Sequence, residues 1–188
     1  DHLVLRTRAD GHDGRMPDAV STRLVRLDDA AELTALVIAN RDHLEPWQPT
    51  PAESWFSEAG QVDRIRAVLA GYEAGTQVPH VIVDGSGALV GRIGLNSVIR
   101  GAFQSASVGY WVAADATGQG VATAALGLMV DLAFGRLRLH RVQGETLPHN
   151  IASRHVLERN GFVEYGVAPD YLRIAGRWQE HVLYQRTD

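Results

Sequence analysis

The amino-acid sequence predicts a mixed α/β domain in which a mostly antiparallel central sheet is flanked by helices. Its 188 residues suit one domain with a complete hydrophobic core. Segments with strand patterning are interleaved with segments of helical periodicity, as expected when helices cover one central sheet. A hairpin followed at once by a third strand lies in mid-chain, and strands joined by tight turns pair antiparallel.

The first part of the chain supplies strands and two helices. Residues 2–9 and 21–27 have the composition and alternation of strands, and the stretch between them is rich in Gly, Pro and Asp, as loops are. Asp28 and Asp29 can cap a helix that we expect to end near Arg41. The other predicted elements here are a Pro-rich loop over 43–53 and a helix with one apolar face over 53–74.

The second part of the chain supplies most of the sheet. The hairpin covers residues 80–99 around Asp84-Gly85-Ser86-Gly87, and the third strand covers 103–113. The elements that follow are a helix over 119–135, a strand over 140–147, a helix over 150–160 that stops at Gly161, and closing strands over 162–168 and 178–186. The sequence contains no repeat and no low-complexity linker. We therefore expect one domain over 21–188 and an N-terminal extension, a strand plus a loop, over 1–20.

Composition and charge exclude several classes of protein. The chain has no cysteine, which excludes disulfides, thiolate metal sites and a cysteine nucleophile and fits a reducing compartment. No apolar run approaches the roughly 18 residues of a membrane span, and the first residues lack the pattern of a signal peptide. The net charge is −4 and lysine is absent. We therefore expect a cytoplasmic protein with no membrane partner and no direct nucleic-acid binding.

A glycine-containing turn, Thr117-Gly118-Gln119-Gly120-Val121-Ala122, joins a predicted strand to a predicted helix. A helix N-terminus presents free N–H groups and a positive dipole end, and glycines allow close approach, so the turn predicts a phosphate site. The absence of lysine excludes a Walker loop, and Thr123 stands where a dinucleotide fingerprint needs Gly or Ala. The structural alternative is a helix N-terminus with closely packed glycines.

A second stretch, PHNIASRHVLERNGF over 148–162, opens a helix with Asn150 as its N-cap and Ser153 in its first turn. The two stretches, in this order, resemble the GNAT superfamily of acyl-CoA-dependent N-acyltransferases. The turn over 117–122 matches the family's pyrophosphate loop, Q/R-x-x-G-x-G/A, at all but its first position, where Thr117 stands. The family's second segment, N-x-x-S-x-x-v-l-E-x-x-G-F, is matched by Asn150, Ser153, Val156, Leu157, Glu158, Gly161 and Phe162.

Further segments resemble the RimJ/RimL branch, whose named members acetylate protein N-terminal amino groups; they are NRDHLEPWQP, VGYWV and YLRIAGRWQEHVLYQR. The resemblance, over about residues 21 to 187, implies a GNAT-like sheet with strands splayed at the cofactor site. It implies acetyl-CoA as co-substrate, no metal, and direct attack by a primary amine in a ternary complex. The acceptor it implies is a protein N-terminal α-amino group. The alternatives are a small-molecule amine, such as an antibiotic or a metabolite, and a non-catalytic acyl-CoA-binding domain; homodimers are common in the branch.

The resemblance also implies a cofactor site, made of Tyr110, Trp111, Val112, Thr117, Gly118, Gln119, Gly120, Val121, Ala122, Asn150, Ser153 and Arg159. The strand residues would pair with the pantetheine arm, and an N–H near Trp111 or Val112 would stabilise the oxyanion. The N–H groups of the glycine turn would hold the pyrophosphate, with the Thr117 hydroxyl replacing the family's Gln or Arg. Asn150 would bond the pantetheine arm, and Arg154 or Arg159 would reach the 3′-phosphate.

The catalytic residues that the resemblance implies are Ser153 and Glu145, with Asn150 beside them. Ser153 matches a serine proposed in RimJ/RimL-like members to protonate the leaving thiolate, and its structural alternative is completion of the helix cap. Glu145 is the preferred general base; the alternatives are a water chain or one of His149, His43, Glu45, Glu180 and His181. In the Pro-rich loop we expect the wall of the acceptor pocket, formed by His43, Glu45 and Trp47.

Overall fold

The computed structural model describes residues 20–188 and the backbone of a short strand at Val4–Arg6. The rest of the predicted strand over 2–9 and the predicted loop after it lie outside the described residues. The strands are β1 (Val4–Arg6), β2 (Ser21–Leu24), β3 (Val78–Val83), β4 (Leu89–Ile99), β5 (Ser105–Val112), β6 (Arg141–Thr146), β7 (Val163–Ile174) and β8 (Arg177–Thr187).

In this part of the chain the strands form one sheet in the order β1-β2-β3-β4-β5-β6-β8-β7. The pair β5–β6 is parallel, and the other neighbours are antiparallel. The predicted mixed, mostly antiparallel sheet is therefore confirmed. Strand β1 adds an edge to the same sheet, and the boundary at residue 20 stays a prediction.

The helices are α1 (Ala30–Ala39), α2 (Arg41–Leu44), α3 (Glu58–Glu73), α4 (Val121–Asp131) and α5 (Ile151–Arg159). Helix α4 continues into a π-helical turn over Leu132–Arg136, and 3-10 turns occur at Leu27–Asp29, Glu45–Trp47, Glu53–Phe56 and Ala114–Ala116. Among the helices described, none combines the length and apolarity that crossing a membrane requires.

Two sequence predictions about the Pro-rich region are wrong. Residues 43–53 are not one loop, because they contain the end of α2 and the turn Glu45–Trp47. Pro46 stands at the start of that turn, where a missing N–H costs no hydrogen bond. The next helix begins at Glu58 rather than at residue 53, since the Ser57 hydroxyl caps it by accepting the Gly60 N–H at 3.2 Å.

The helices cover the sheet on both faces. On one face, α4 and α5 pack over a large apolar cluster that includes the fully buried Leu126, Met129 and Leu157. On the other face, α1 and α3 pack against β3 and β4 around Leu33 and Ile65. We call these the α4 face and the α1 face of the sheet.

Strands β5 and β6 separate part of the way along their length. Their parallel pairing runs from Ser105 opposite Arg141 to Ser107 opposite Gln143. Beyond this point β5 stays paired with β4 as far as Val112, and β6 stays paired with β8 as far as Thr146. The two strands therefore diverge after Ser107 and leave an opening in the sheet, as the predicted splay requires.

Candidate active site

The backbone alternation of β5 decides which of its polar groups face the opening. The Ala113 N–H donates to the Val90 carbonyl at 2.8 Å, and the pairing of β5 with β4 is unbroken from Val112 back to Ser107. The Trp111 carbonyl also faces β4, because it lies against Gly91, where no Cβ would fit. Backbone groups alternate in direction along an antiparallel strand, so Tyr110 and Val112 present theirs to the opening. Of the two predicted oxyanion donors, Val112 has the N–H on the open side.

The glycine turn lies between β5 and α4, and its backbone conformation requires glycine. Gly118 and Gly120 have φ values of 78° and 79°, in the left-handed region that glycine tolerates. A Cβ at either position would meet no atom within 4 Å, so the surrounding space is open. Gly120 is the N-cap of α4, and no side chain caps this helix. The N–H groups of the first helical turn are thus available for an anion.

Thr117 and Gln119 turn their side chains back onto the connection before the helix. The Thr117 hydroxyl donates to the Ala113 carbonyl at 3.2 Å, and its N–H is 3.2 Å from the Ala114 carbonyl. The Gln119 side-chain amide donates to the Asp115 carbonyl. Both donors of Thr117 are therefore engaged internally, and this geometry does not support a hydrogen bond from its hydroxyl to phosphate. The donors left for an anion are the backbone N–H groups of the turn.

The first turn of α5 borders the opening on the α4 face. Asn150 Oδ1 accepts the Ser153 N–H at 3.1 Å, so Asn150 is confirmed as the N-cap, and its Nδ2 remains a donor with no partner among the described residues. The Ser153 and Tyr110 hydroxyls share a hydrogen bond of 3.0 Å. Burial raises the pKa of Tyr110 to about 12, against the smaller opposing effect of that hydrogen bond. Tyr110 is thus protonated at neutral pH and orients the Ser153 hydroxyl.

The other end of α5 approaches the glycine turn. Asn160, the C-cap of α5, donates through Nδ2 to the carbonyl of Thr123 in the first turn of α4 at 3.1 Å. Arg159 precedes it and is exposed, and its guanidinium has no hydrogen-bond partner within residues 20–188. Arg154 instead donates through Nε to the Tyr184 hydroxyl at 3.0 Å and faces Glu164 at 3.4 Å. Of the two arginines, Arg159 is the one available to a phosphate near the turn.

On the α1 face, Glu145 and Ser107 meet at the point where β5 and β6 begin to separate. The Ser107 hydroxyl lies 2.9 and 2.8 Å from the two carboxylate oxygens of Glu145 and donates its hydrogen to one of them. Burial raises the pKa of the Glu145 carboxyl, while the hydrogen bond from Ser107 and the nearby His181 act in the opposite direction. Ser107 was not predicted from the sequence, although the alternation of β5 places it on the same face as Gly109 and Trp111.

His181, one of the alternative bases, lies on β8 beside the same carboxylate. It is 3% exposed, and its Nδ1 donates to the Gln179 carbonyl at 2.9 Å. Its ring is 5.5 Å from the ring of Tyr171 on β7. Glu145, Ser107 and His181 therefore lie in one cluster, in which the Glu145 carboxylate and the His181 Nε2 are both able to take up a proton.

The Pro-rich segment contacts the loops around this cluster. The Trp47 ring lies 5.6 Å from the ring of His149, and the Gln48 carbonyl accepts the Ala175 N–H at 3.1 Å. A groove of about 340 Å³ lies beside this contact, lined by Pro148, His149, Arg177, Trp178, Gln179 and Glu180. Within the described residues His43 and Glu45 make no hydrogen bond or ion pair with these loops. Trp47 is thus the predicted wall residue that the structure brings to the site.

The candidate proton-transfer groups occupy opposite faces of the sheet at one opening. Tyr110 packs with the apolar cluster of the α4 face and holds Ser153, whereas Ser107 holds Glu145 on the other face. An anion-binding turn lies at the end of β5 that leads into α4. The arrangement can bind a phosphate-bearing molecule along β5, deprotonate a nucleophile on one face and donate a hydrogen bond on the other.

Comparison with known proteins identifies the family. The profile of the acetyltransferase (GNAT) domain matches residues 21–163. A ribosomal protein uS5-alanine N-acetyltransferase of Escherichia coli is 30% identical over 167 residues, which are 88% of this chain and 86% of that protein. The structure of Mycobacterium smegmatis RimJ in complex with CoA-disulfide matches with a TM-score of 0.89 and 35% identity, over 99% of this chain and 86% of that chain. The ribosomal-protein-S5-alanine acetyltransferase of Vibrio fischeri matches with a TM-score of 0.85 and 28% identity, over 89% and 92% of the two chains. This chain belongs to the GNAT acetyltransferase family.

Proposed function

We propose that this protein transfers the acetyl group of acetyl-CoA to the α-amino group of a protein N-terminus. The observation that carries the proposal is the opening between β5 and β6, which has an anion-binding turn at one end, the Glu145 carboxylate on one face and the Ser153 hydroxyl on the other. The E. coli relative is named for acetylating an alanine of ribosomal protein uS5, and the similar M. smegmatis structure contains a CoA-disulfide. Both support the same donor and class of acceptor for this chain.

The residues around the opening fit acetyl-CoA. The N–H groups of residues 118–122 suit its pyrophosphate, and Arg159 suits its 3′-phosphate. The outward backbone groups of Tyr110 and Val112 suit the amides of the pantetheine arm, which would extend the sheet like an added strand. Asn150 Nδ2 supplies a further donor. When bound, acetyl-CoA supplies a thioester carbonyl and a thiolate leaving group.

Glu145 serves as the general base on the acceptor side. An N-terminal amine has a pKa near 7.7–8.0, so much of it is protonated at neutral pH and must lose a proton before attack. Burial makes the Glu145 carboxylate a stronger base than an exposed one, and the hydrogen bond from Ser107 holds it in position. The carboxylate takes the proton of the amine directly or through one water. The Val112 N–H then donates to the oxygen that becomes negative.

Ser153 serves the leaving group on the other face. A thiol has a pKa of about 8.5, far below that of Tyr110, so full proton transfer from the phenol to the thiolate is unfavourable. Ser153 instead donates a hydrogen bond to sulfur, and Tyr110 positions the Ser153 hydroxyl. Asn150 contributes indirectly because its cap fixes the first turn of α5.

The acceptor enters between the Trp47 segment and β8. The groove lined by His149 and Trp178 is open enough for an extended N-terminal tail, and such a tail can be acetylated without any contact between this protein and RNA. A ribosomal-protein acceptor would place the reaction in the cytoplasm. A homodimer stays a prediction from the resemblance to the RimJ/RimL branch. The limits of the domain, residues 21–188, also stay a prediction.

The test is thiol release from acetyl-CoA over a panel of acceptors. The panel contains short peptides with a free N-terminus, the same peptides with a blocked N-terminus, a polyamine and an aminoglycoside. We expect release with the free peptides and none with their blocked counterparts. Release with small amines alone would favour the small-molecule alternative. Tight acetyl-CoA binding without turnover on any amine would favour a non-catalytic acyl-CoA-binding domain.

A further inference from the structure

Arg92 lies on the acceptor side of the sheet, is half-buried, and has no ion pair in the described part of the chain. Arg92 on β4 stands opposite Trp111 of β5 and opposite Val81 of β3, which packs on the α1 face. Its Nη1 is buried and has no hydrogen-bond partner among the residues described. Burial lowers the pKa of Arg92 to about 10, with a further decrease from Arg64 and an opposing effect of Asp29, so it carries its charge at neutral pH.

Asp29, the carboxylate whose charge acts on Arg92, is already paired with Arg23. The Asp29 carboxylate accepts hydrogen bonds from both terminal nitrogens of Arg23, at 2.7 and 2.9 Å, and from the backbone N–H of Arg26 at 2.7 Å. Arg64 adds a second positive charge near Arg92. Arg92 is half-buried and Arg64 is exposed, so the positive charge of this region is within reach of an anion from outside.

Two further polar groups in this region lack partners. Trp55 Nε1 is buried with no acceptor in the described structure, although Arg64 stacks over the Trp55 ring at 4.5 Å. Gln61 is fully buried and donates to the Trp55 carbonyl at 2.6 Å, which leaves its Oε1 without a donor among the described residues. Arg92, Arg64, Trp55 and Gln61 together offer unpaired donors, positive charge and one acceptor. We call them the Arg92 cluster.

We propose that the Arg92 cluster binds a carboxylate of the acceptor, so that the enzyme prefers N-termini with an acidic side chain close to the reacting amine. Arg92 is half-buried, so the rest of its guanidinium can meet carboxylate oxygens, and charge-assisted hydrogen bonds of this kind are the strong ones. The inference rests on the proposed function, because it concerns the acceptor of that reaction.

Strand spacing sets how far the carboxylate stands from the amine. Neighbouring strands are about 4.8 Å apart, and Arg92 is one strand away from the β5 edge that borders the opening. An extended peptide advances about 3.5 Å per residue, so a carboxylate on the second or third residue can reach the Arg92 cluster. The acetyl group itself carries no charge, so it does not supply the anion. The competing occupant is the terminal carboxylate of a longer acyl donor such as succinyl-CoA.

The experiment compares two acceptor peptides that differ only by Glu or Gln at the second residue, and a second pair that differs at the third. For each peptide, kcat/KM is measured with saturating acetyl-CoA, using the full chain and its Arg92→Gln variant. We expect the wild-type protein to prefer one Glu peptide over its Gln counterpart by about tenfold or more, as for a hydrogen bond to a charged group. In the Arg92→Gln variant, kcat/KM for the Glu peptide should fall to that for the Gln peptide. Arg66→Gln, at an exposed arginine of the same helix as Arg64, is the matched control and should leave the ratio unchanged.

Equal kcat/KM values within both pairs would overturn the inference while leaving N-terminal acetylation intact. If no peptide is acetylated, the proposed function fails. Dissociation constants of the same peptides in the presence of CoA then decide the inference, since equal affinities contradict it. A higher kcat/KM for succinyl-CoA than for acetyl-CoA that disappears in Arg92→Gln would show that the cluster binds the carboxylate of the acyl donor. This result would also contradict the inference. The wild-type comparison needs no variant, so poor folding of Arg92→Gln would not prevent the test.

Discussion

Replacing Glu145 with glutamine removes the charge of the proposed base and preserves its shape. The Ser107 hydroxyl, which lies 2.8 Å from one carboxylate oxygen, can donate to the amide oxygen in the same position. The glutamine cannot accept a proton from an amine. Because general-base catalysis contributes about 10²–10⁴-fold, we expect kcat to fall by that factor, while the dissociation constant of CoA stays unchanged.

The same substitution should stabilise the folded protein at neutral pH. Burial raises the pKa of Glu145 above its unfolded value, so folding stability falls as the pH rises from the unfolded pKa through the folded pKa, and the loss is complete above it. Glutamine removes this cost. The free energy of unfolding in urea should therefore be higher for Glu145→Gln than for the wild type at pH 8. The difference should disappear as the pH falls below the ordinary range of a glutamate, where the carboxyl is protonated in both states.

Ser107→Ala is the matched variant for this pair. Removing the hydroxyl removes an interaction that lowers the pKa of Glu145, so the acidic limb of the profile of kcat/KM against pH should move to higher pH. If Glu145→Gln loses stability at pH 8 and keeps kcat within threefold of the wild type, Glu145 is a structural residue. The assignment of the base would then be refuted.

Three further predictions concern the glycine turn, α5 and the buried histidine. Gly120→Glu should abolish CoA binding in calorimetry, because it adds strain at a φ of 79° and a negative charge at the turn; Gly87→Glu, at a φ of 93° in a distant hairpin turn, should not. Ser153→Ala should lower kcat more than it changes KM, because the Asn150 side chain caps the helix through the Ser153 backbone N–H, which alanine retains. An unchanged kcat would show that the Ser153 hydroxyl has no catalytic role. His80 is buried and its pKa is lowered to about 4 from 6.5, so acidification through this range should cost about 3 kcal/mol of unfolding free energy. His80→Gln should flatten that dependence in urea titrations between pH 7 and pH 4, and an equal slope in both proteins would contradict it.

Local signals in the sequence were sufficient for the cofactor side of the site. Glycine at 118 and 120 is required by backbone conformation, and the Asn150 cap is required by the orphan N–H groups of a helix start. Both are properties of a few consecutive residues, so a short stretch of sequence carries them. The departure at Thr117 was also visible, although its hydrogen bond to Ala113 was not.

The acceptor side depends on contacts between distant segments. Ser107 and Glu145 are 38 residues apart and meet only because β5 and β6 pair in parallel up to Ser107. Asp29, whose charge acts on Arg92, is paired with Arg23 of strand β2. Neither fact follows from periodicity or composition, because each is settled by which side chains share a face after the sheet has formed.

The most direct measurement is the position of the acetyl group on an acceptor peptide that carries both a free N-terminus and an internal lysine. The peptide is incubated with the protein and acetyl-CoA, and fragment masses from tandem mass spectrometry locate the modification. We expect one acetyl group on the α-amine, formed at least about 10²-fold more slowly by the Glu145→Gln variant. An acetyl group on the lysine side chain, or an unmodified peptide although CoA binds, would contradict this expectation.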